Sequence, residues 1–126
     1  MSLQKMLCAL LLVGTLAVPA FAHGKPEHGG QAVEVDGHSF ELVAEPETKV
    51  THLDLYINDP KEKSVSNANV KLQISTPNGQ KVSLPLKYEG GHYTAPLNSV
   101  AKGEYKVVAL TSIGAKKLNA RFSFSR

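Results

Sequence analysis

From Gln31 to the end of the chain, the sequence is a succession of short alternating or β-branched runs, and this pattern constrains the fold more than any other feature. Gly, Pro, Asn and Asp separate the runs, and none of them shows the 3.6-residue period of an amphipathic helix. The pattern predicts an all-β domain. The expected strands cover residues 31–35, 38–44, 50–58, 68–75, 81–86, 91–95, 104–111 and 118–125.

Turn residues between these runs predict how the strands are connected. Asp36-Gly37 is a two-residue hairpin signal, and Pro77-Asn78-Gly79 and Glu89-Gly90-Gly91 are typical of further turns. Seven or eight strands in about a hundred residues predict a two-sheet sandwich of the immunoglobulin or fibronectin-III type. A true antibody-type domain is excluded, because the Cys–Trp–Cys signature is missing.

Alternation within the strands also predicts which side chains face the core. The inward rows are expected on four strands, and their members are Phe40, Leu42, Leu53, Leu55, Ile57, Val70, Leu72, Ile74, Leu118, Ala120, Phe122 and Phe124.

The first 22 residues have the organisation of a cleavable secretory signal peptide. Lys5 gives a positive start, residues 7–18 form an apolar stretch, and Ala20-Phe21-Ala22 is a small-x-small cleavage pattern. Pro19 ends the apolar run short of the roughly 20 residues that span a bilayer. We therefore expect a signal peptide over 1–22, a flexible His/Gly leader over 23–30 and a β-sandwich over 31–126. The mature protein would be periplasmic or secreted, without membrane insertion.

Cleavage after Ala22 would remove every sulfur atom from the protein. Cys8, Met1 and Met6 all lie in the predicted signal peptide. The mature chain could then form no disulfide, and thiolate or thioether metal sites are excluded.

Charge and motifs argue against two broad classes of function. The chain has 14 Lys and Arg against 11 Asp and Glu, scattered except for Lys116-Lys117, and no aromatic-rich basic stripe favours nucleic-acid binding. It has no G-x-S-x-G motif, no cysteine nucleophile and no phosphate-cradling glycine loop. We expect neither catalytic residues nor an organic cofactor.

Histidines are the chemically informative residues, and two lie in the leader. An N-terminal His23 could chelate one ion through its α-amine and ring Nδ1, with His28 as a further nitrogen ligand. Such a set suits Cu(II), Ni(II) or Zn(II), and Glu27 could add an oxygen. The alternative is that the leader is only a soluble spacer.

The other histidines are predicted to lie on the sheets. The Asp36-Gly37 turn sets a register with Val35 opposite His38, which places His38 in the core-facing row. In regular strands His28 and His38 could share an ion only if the leader folded back.

On the outer face, alternation predicts a weaker histidine and carboxylate patch of His52 and Asp54, with Glu41 on the adjacent strand. A solvated sheet face explains this patch equally well. His92, which follows two glycines, is expected to be a surface residue.

Three segments together resemble a known family: His28-Gly29-Gly30, the run from Gly37 to Val43, and Leu53-Asp54-Leu55-Tyr56-Ile57. Their order is similar to the His-Gly-Gly … His-x-x-Glu-Leu-Val … hydrophobic-Tyr-hydrophobic pattern at the start of periplasmic adaptor subunits of heavy-metal efflux pumps. The resemblance implies a β-sandwich concerned with metal handling, here standing alone, with His28 and His38 as metal residues. A looser similarity is to small periplasmic copper-resistance sandwich proteins whose mature chain begins with histidine.

These observations predict a periplasmic protein that binds copper or zinc and buffers it or delivers it to an efflux or resistance system. Its partners would be the ion and a metal-efflux envelope complex. The metal residues would be His23, His28 and His38, with Glu27, Glu41, His52 and Asp54 as weaker candidates. The alternative is a metal-free module that docks on an envelope protein through a sheet edge or face.

Overall fold

The computed structural model of the chain describes residues 26–126, and these residues form nine β-strands and no helix. The strands are β1 (Gln31–Val35), β2 (His38–Pro46), β3 (Thr51–Asn58), β4 (Asn69–Ser75), β5 (Lys81–Pro85), β6 (Lys87–Glu89), β7 (His92–Leu97), β8 (Glu104–Ile113) and β9 (Lys116–Ser125). The all-β prediction is confirmed. The predicted signal peptide, its cleavage site and His23 lie outside the described residues. Within residues 26–126 there is no helix that is long and apolar enough to cross a membrane.

The strands form two antiparallel sheets. Sheet A has five strands in the order β1-β2-β3-β7-β6, and sheet B has four in the order β5-β4-β8-β9. The predicted strand number of seven or eight is too low for residues 26–126, because β6 was not anticipated. All three residues of β6 are exposed, so its burial pattern shows no alternation.

The β1–β2 hairpin has the predicted register, with Val35 opposite His38 and Val33 opposite Phe40. Asp36 and Gly37 both have positive φ, 50° and 76°, as a two-residue type I′ turn requires. Phe40 therefore faces the core, and the next residue, Glu41, faces outward.

Inward side chains of both sheets form one hydrophobic cluster, which gives the domain a sandwich-like arrangement. The predicted core residues belong to it, with Phe124 partly buried at its margin. Strands β7 and β8 add a group that the predicted core omitted: Tyr93, Leu97, Tyr105, Val107 and Ala109.

Burial of Tyr93 leaves no polar atom unpaired. Its hydroxyl donates to the Val65 carbonyl at 2.7 Å and accepts from the Ala68 N–H at 3.0 Å. These bonds attach the segment between β3 and β4 to β7.

Candidate functional site

The outer face of sheet A gathers three of the five histidines, and we call it the histidine face. Strands β2, β3 and β7 contribute six outward side chains to it, and the segment before β1 adds His28. The strand residues are Glu41, His52, Asp54, Tyr56, His92 and Thr94. Pairing of β3 with both β2 and β7 places Glu41 opposite Tyr56 and Thr94 opposite Asp54.

Glu41 holds the segment before β1 against this face. Its Oε1 accepts a hydrogen bond from the Glu27 N–H at 3.0 Å, and its Oε2 accepts from the N–H groups of His28 and Gly30, both at 2.8 Å. The ring Nδ1 of His28 lies 2.9 Å from Oε1. The prediction of a flexible leader did not anticipate these contacts of residues 27–30.

Two glycines allow the chain to reach Glu41. Continued β1 pairing would carry residue 28 past Glu41 to the level of Glu45, since Gln31 is opposite Leu42. Instead the chain folds back at Gly29, whose φ of +78° is in the left-handed region. A Cβ on Gly30 would lie 2.2 Å from the Leu42 carbonyl oxygen, so only glycine fits there.

The hydrogen bonds determine the ionisation of Glu41. Burial by itself raises the pKa of this carboxyl, but the hydrogen bonds from Gly30, His28 and Glu27 together lower its pKa below the ordinary value of 4.5. Glu41 is only 6% exposed and is a carboxylate at neutral pH. With both oxygens accepting hydrogen bonds, it is better suited to orienting His28 than to binding an ion.

The His28 ring is oriented by two contacts. It stacks on Tyr56 with ring centroids 3.6 Å apart and an interplanar angle of 5°. Because Nδ1 faces the Glu41 carboxylate, a neutral ring carries its proton there and leaves the Nε2 lone pair free. A carboxylate that fixes the tautomer in this way is a common outer-shell partner of metal-binding histidines.

Tyr56 separates the docked segment from the rest of the face. Its pKa is raised by burial and then by the negative charges of Asp54, Glu41 and Glu45, so its hydroxyl stays protonated at neutral pH. The His92 ring packs against the Tyr56 ring, with ring centroids 4.9 Å apart. A cavity of about 20 Å³ beside Tyr56 and Glu41 is large enough for one water molecule.

Asp54 lies between the other two histidines. Its Oδ1 is 3.4 Å from Nε2 of His52 and 3.3 Å from Nε2 of His92, yet this buried oxygen has no hydrogen-bond partner among residues 26–126. The same His52 nitrogen is 3.0 Å from Oγ1 of Thr94. Ligands in a tetrahedral site with bonds of about 2.0–2.1 Å are roughly 3.3–3.4 Å apart, so each histidine–aspartate pair has the spacing of two metal ligands.

The face does not contain a complete metal site by itself. Within residues 26–126, no group of three or more His, Cys, Asp or Glu side chains is arranged to hold a metal ion. Any ion bound here would need ligands beyond one histidine–aspartate pair.

The structure separates some of the predicted site residues and unites others. His38 is buried in the core-facing row, with Nδ1 3.0 Å from the Asp36 carbonyl oxygen, so His28 and His38 lie on opposite sides of sheet A and do not share a site. Glu27 contacts Glu41 through its backbone. His92, which the sequence suggested was an ordinary surface residue, instead packs between Tyr56 and Asp54.

Comparison with known proteins returns no match: no protein-family model, no curated protein and no solved structure matches this chain.

Proposed function

We propose that this protein binds Cu(II) or Zn(II) in the periplasm and buffers the ion or delivers it to an efflux or resistance system. The observation that carries the proposal is the attachment of residues 27–30 to the histidine face by Glu41. This attachment brings the end of the predicted leader to the same face as His52, Asp54 and His92. In this proposal an immunoglobulin or fibronectin-III-like sandwich is the rigid support.

Ligands from the leader would complete the site. A Zn(II) ion in a protein is usually bound by three or four protein ligands, whereas each histidine–aspartate pair supplies two. His28 has a free Nε2, and His23 would add an α-amine and a ring nitrogen if cleavage follows Ala22. His23 is five residue steps from His28, and a chain of that length can span up to about 17 Å, which is enough to reach across several strands.

Glu41 has a positioning role in this proposal. It was a weaker candidate ligand in the sequence, but its oxygens accept hydrogen bonds from Glu27, His28 and Gly30. By fixing the protonated nitrogen of His28, it would keep the opposite nitrogen available to an ion.

The arrangement is consistent with the resemblance to efflux-pump adaptor modules. The His-Gly-Gly segment and the Glu of the Glu-Leu-Val segment, which are separate in sequence, contact each other directly through His28 and Glu41. Their pairing gives a physical reason for the two segments to occur together. It supports the proposal of a metal-handling module.

Calorimetric titration of the processed protein with Cu(II), Zn(II) and Ni(II) tests the proposal. His28→Ala should weaken Cu(II) binding at least tenfold, about 1.4 kcal/mol. His38→Ala is the matched control, since that imidazole lies on the other side of the sheet. Absence of micromolar binding by the processed protein would refute the metal function. Loss of binding only in His52→Ala and His92→Ala would place the site on the sheet alone.

A further inference from the structure

The outer face of sheet B is strongly basic, although the cations that form it are scattered in sequence. Each of its four strands contributes at least one outward, exposed cation: Lys71, Lys81, Lys106, Lys117 and Arg121. The only acidic side chain that the same strands present on this face is Glu104 at the start of β8. Strand pairing therefore assembles a basic surface that charge counting along the chain does not reveal.

None of these five cations has an ion-pair partner within residues 26–126. The lysine ion pairs of the described residues are Lys87 with Glu89 and Lys116 with Asp36, both outside this face. The opposite side of the molecule carries the acidic groups Glu34, Glu41, Glu45, Asp54 and Glu89 on sheet A. The charge of the domain is thus divided between its two outer faces.

A groove of about 740 Å³ runs over the basic face. Lys81, Lys106 and Arg121 line it together with one acidic residue, Glu104, and with polar side chains that include Gln73, Ser75 and Ser83. We call it the basic groove. Lys81 and Lys106 lie in one cross-strand row on either side of Ser75, which separates their backbones by about 9.6 Å. Arg121 is on the strand next to Lys106, two residues further along.

We propose that the basic groove docks an acidic, extended segment of a partner protein. Carboxylates on one side of an extended peptide recur about every 6.7 Å, a spacing that long lysine and arginine side chains can match. Arg121 can hold a carboxylate through two parallel hydrogen bonds. The serine and glutamine side chains offer further hydrogen bonds to a peptide backbone.

The composition of the face disfavours other polyanions. It presents no aromatic ring, which single-stranded nucleic acids use for stacking. The two large hydrophobic side chains that are exposed in residues 26–126, Tyr88 and Val100, lie outside the groove, so no large exposed apolar side chain is placed there to insert into a bilayer. An acidic polypeptide needs neither contact.

Fluorescence anisotropy with a labelled twelve-residue peptide of alternating Glu and Ser tests the proposal on the processed protein. The peptide should bind at low ionic strength, and its affinity should fall as salt is added, because exposed charges are screened. Neutralising three groove cations, Lys81→Gln, Lys106→Gln and Arg121→Gln together, should weaken binding at least tenfold. These side chains are exposed, so urea denaturation should show the variant folded as the parent is.

The matched control removes the same charge elsewhere: Lys49→Gln, Lys61→Gln and Lys63→Gln, all exposed in loops. It should keep the affinity of the parent within about twofold. Equal losses in both triple variants, or no binding of the peptide at all, would overturn the proposal. Tighter, groove-dependent binding of heparin, single-stranded DNA or phosphatidylglycerol vesicles would also overturn it, in favour of a different polyanion.

Discussion

Nδ1 of His28 lies 2.9 Å from Oε1 of Glu41, a contact between a residue ahead of the first strand and the outward side of the second. Three backbone N–H groups around His28 donate to the same carboxylate. A single side chain thus fixes both the path of the chain and the orientation of one imidazole. Its removal should therefore alter stability and metal binding together.

Glu41→Gln should lower the free energy of unfolding by about 2–3 kcal/mol. A glutamine offers one acceptor oxygen where the carboxylate has two, and hydrogen bonds to a charged acceptor are each worth about 1.5–3 kcal/mol. Urea denaturation at neutral pH measures the change. Glu45→Gln, on the same strand and face but exposed, should change stability by less than about 0.5 kcal/mol. Equal effects of the two substitutions would show that the hydrogen bonds of Glu41 stabilise nothing.

The stabilisation by Glu41 should disappear in acid. Burial opposes ionisation, but the hydrogen bonds from Gly30, His28 and Glu27 leave the folded-state pKa below 4.5. A carboxyl with a lowered folded pKa stabilises the protein above its unfolded pKa, and this contribution is lost as the pH falls through the folded value. The stability difference between the parent and Glu41→Gln should therefore shrink as the pH falls below 4.5. A difference that grew as the pH fell below 4.5 would contradict the assignment.

Gly30→Ala should be more damaging than Gly29→Ala, although the two glycines are adjacent. The added methyl group at residue 30 would collide with the backbone of Leu42, at an expected cost of about 1–3 kcal/mol or more. At residue 29 the space is open, and the cost is that of a left-handed conformation, about 1 kcal/mol. Gly29→Asn should recover part of that loss, because asparagine tolerates the left-handed region. Urea denaturation of the three variants gives the order directly.

Local patterns predicted most of the fold because most strands show alternation within their own sequence and are bounded by turn residues. The Asp36-Gly37 turn determined a hairpin register that the structure reproduces residue by residue. Strand β6 was missed since it is only three residues long and buries no alternate side chains. In β8, the buried residues Tyr105, Val107 and Ala109 alternate with Lys106 and Val108. Alternation therefore indicates their burial too, although the predicted core does not include them.

The site was less predictable because it depends on contacts between distant segments. His92 reaches Asp54 only because β7 pairs with β3. The chain between these two strands forms β4 and β5 of sheet B and β6 of sheet A, and no local pattern encodes the pairing. The folding back of the chain at Gly29 likewise depends on Glu41, thirteen residues from His28. The sequence does contain a signal for that contact. It is a Gly-Gly pair directly before a strand whose partner strand has an outward-facing Glu.

Asp54→Asn should separate stability from metal binding. In the metal-free protein, Oδ1 of Asp54 is buried without a hydrogen-bond partner in the described part of the chain, and such a group costs about 1–3 kcal/mol. An asparagine has the same shape, carries no charge and can donate its amide hydrogens to a neighbouring imidazole nitrogen. Unfolding in urea with a chelator present should therefore show equal or slightly higher stability for the variant.

The same substitution should weaken Cu(II) or Zn(II) binding at least tenfold, because a neutral amide is a poorer ligand than a carboxylate for these ions. Asp36→Asn is the matched control, since Asp36 is exposed and contacts only Lys116 through its side chain within residues 26–126. Neutral imidazole is required for coordination, so protons should compete with the ion in the parent and in the control alike. A variant that lost stability but kept its metal affinity would instead assign Asp54 a structural role, as a charge partner of His52 and His92. Gain of stability with loss of affinity is the result expected of a carboxylate retained for binding rather than for folding.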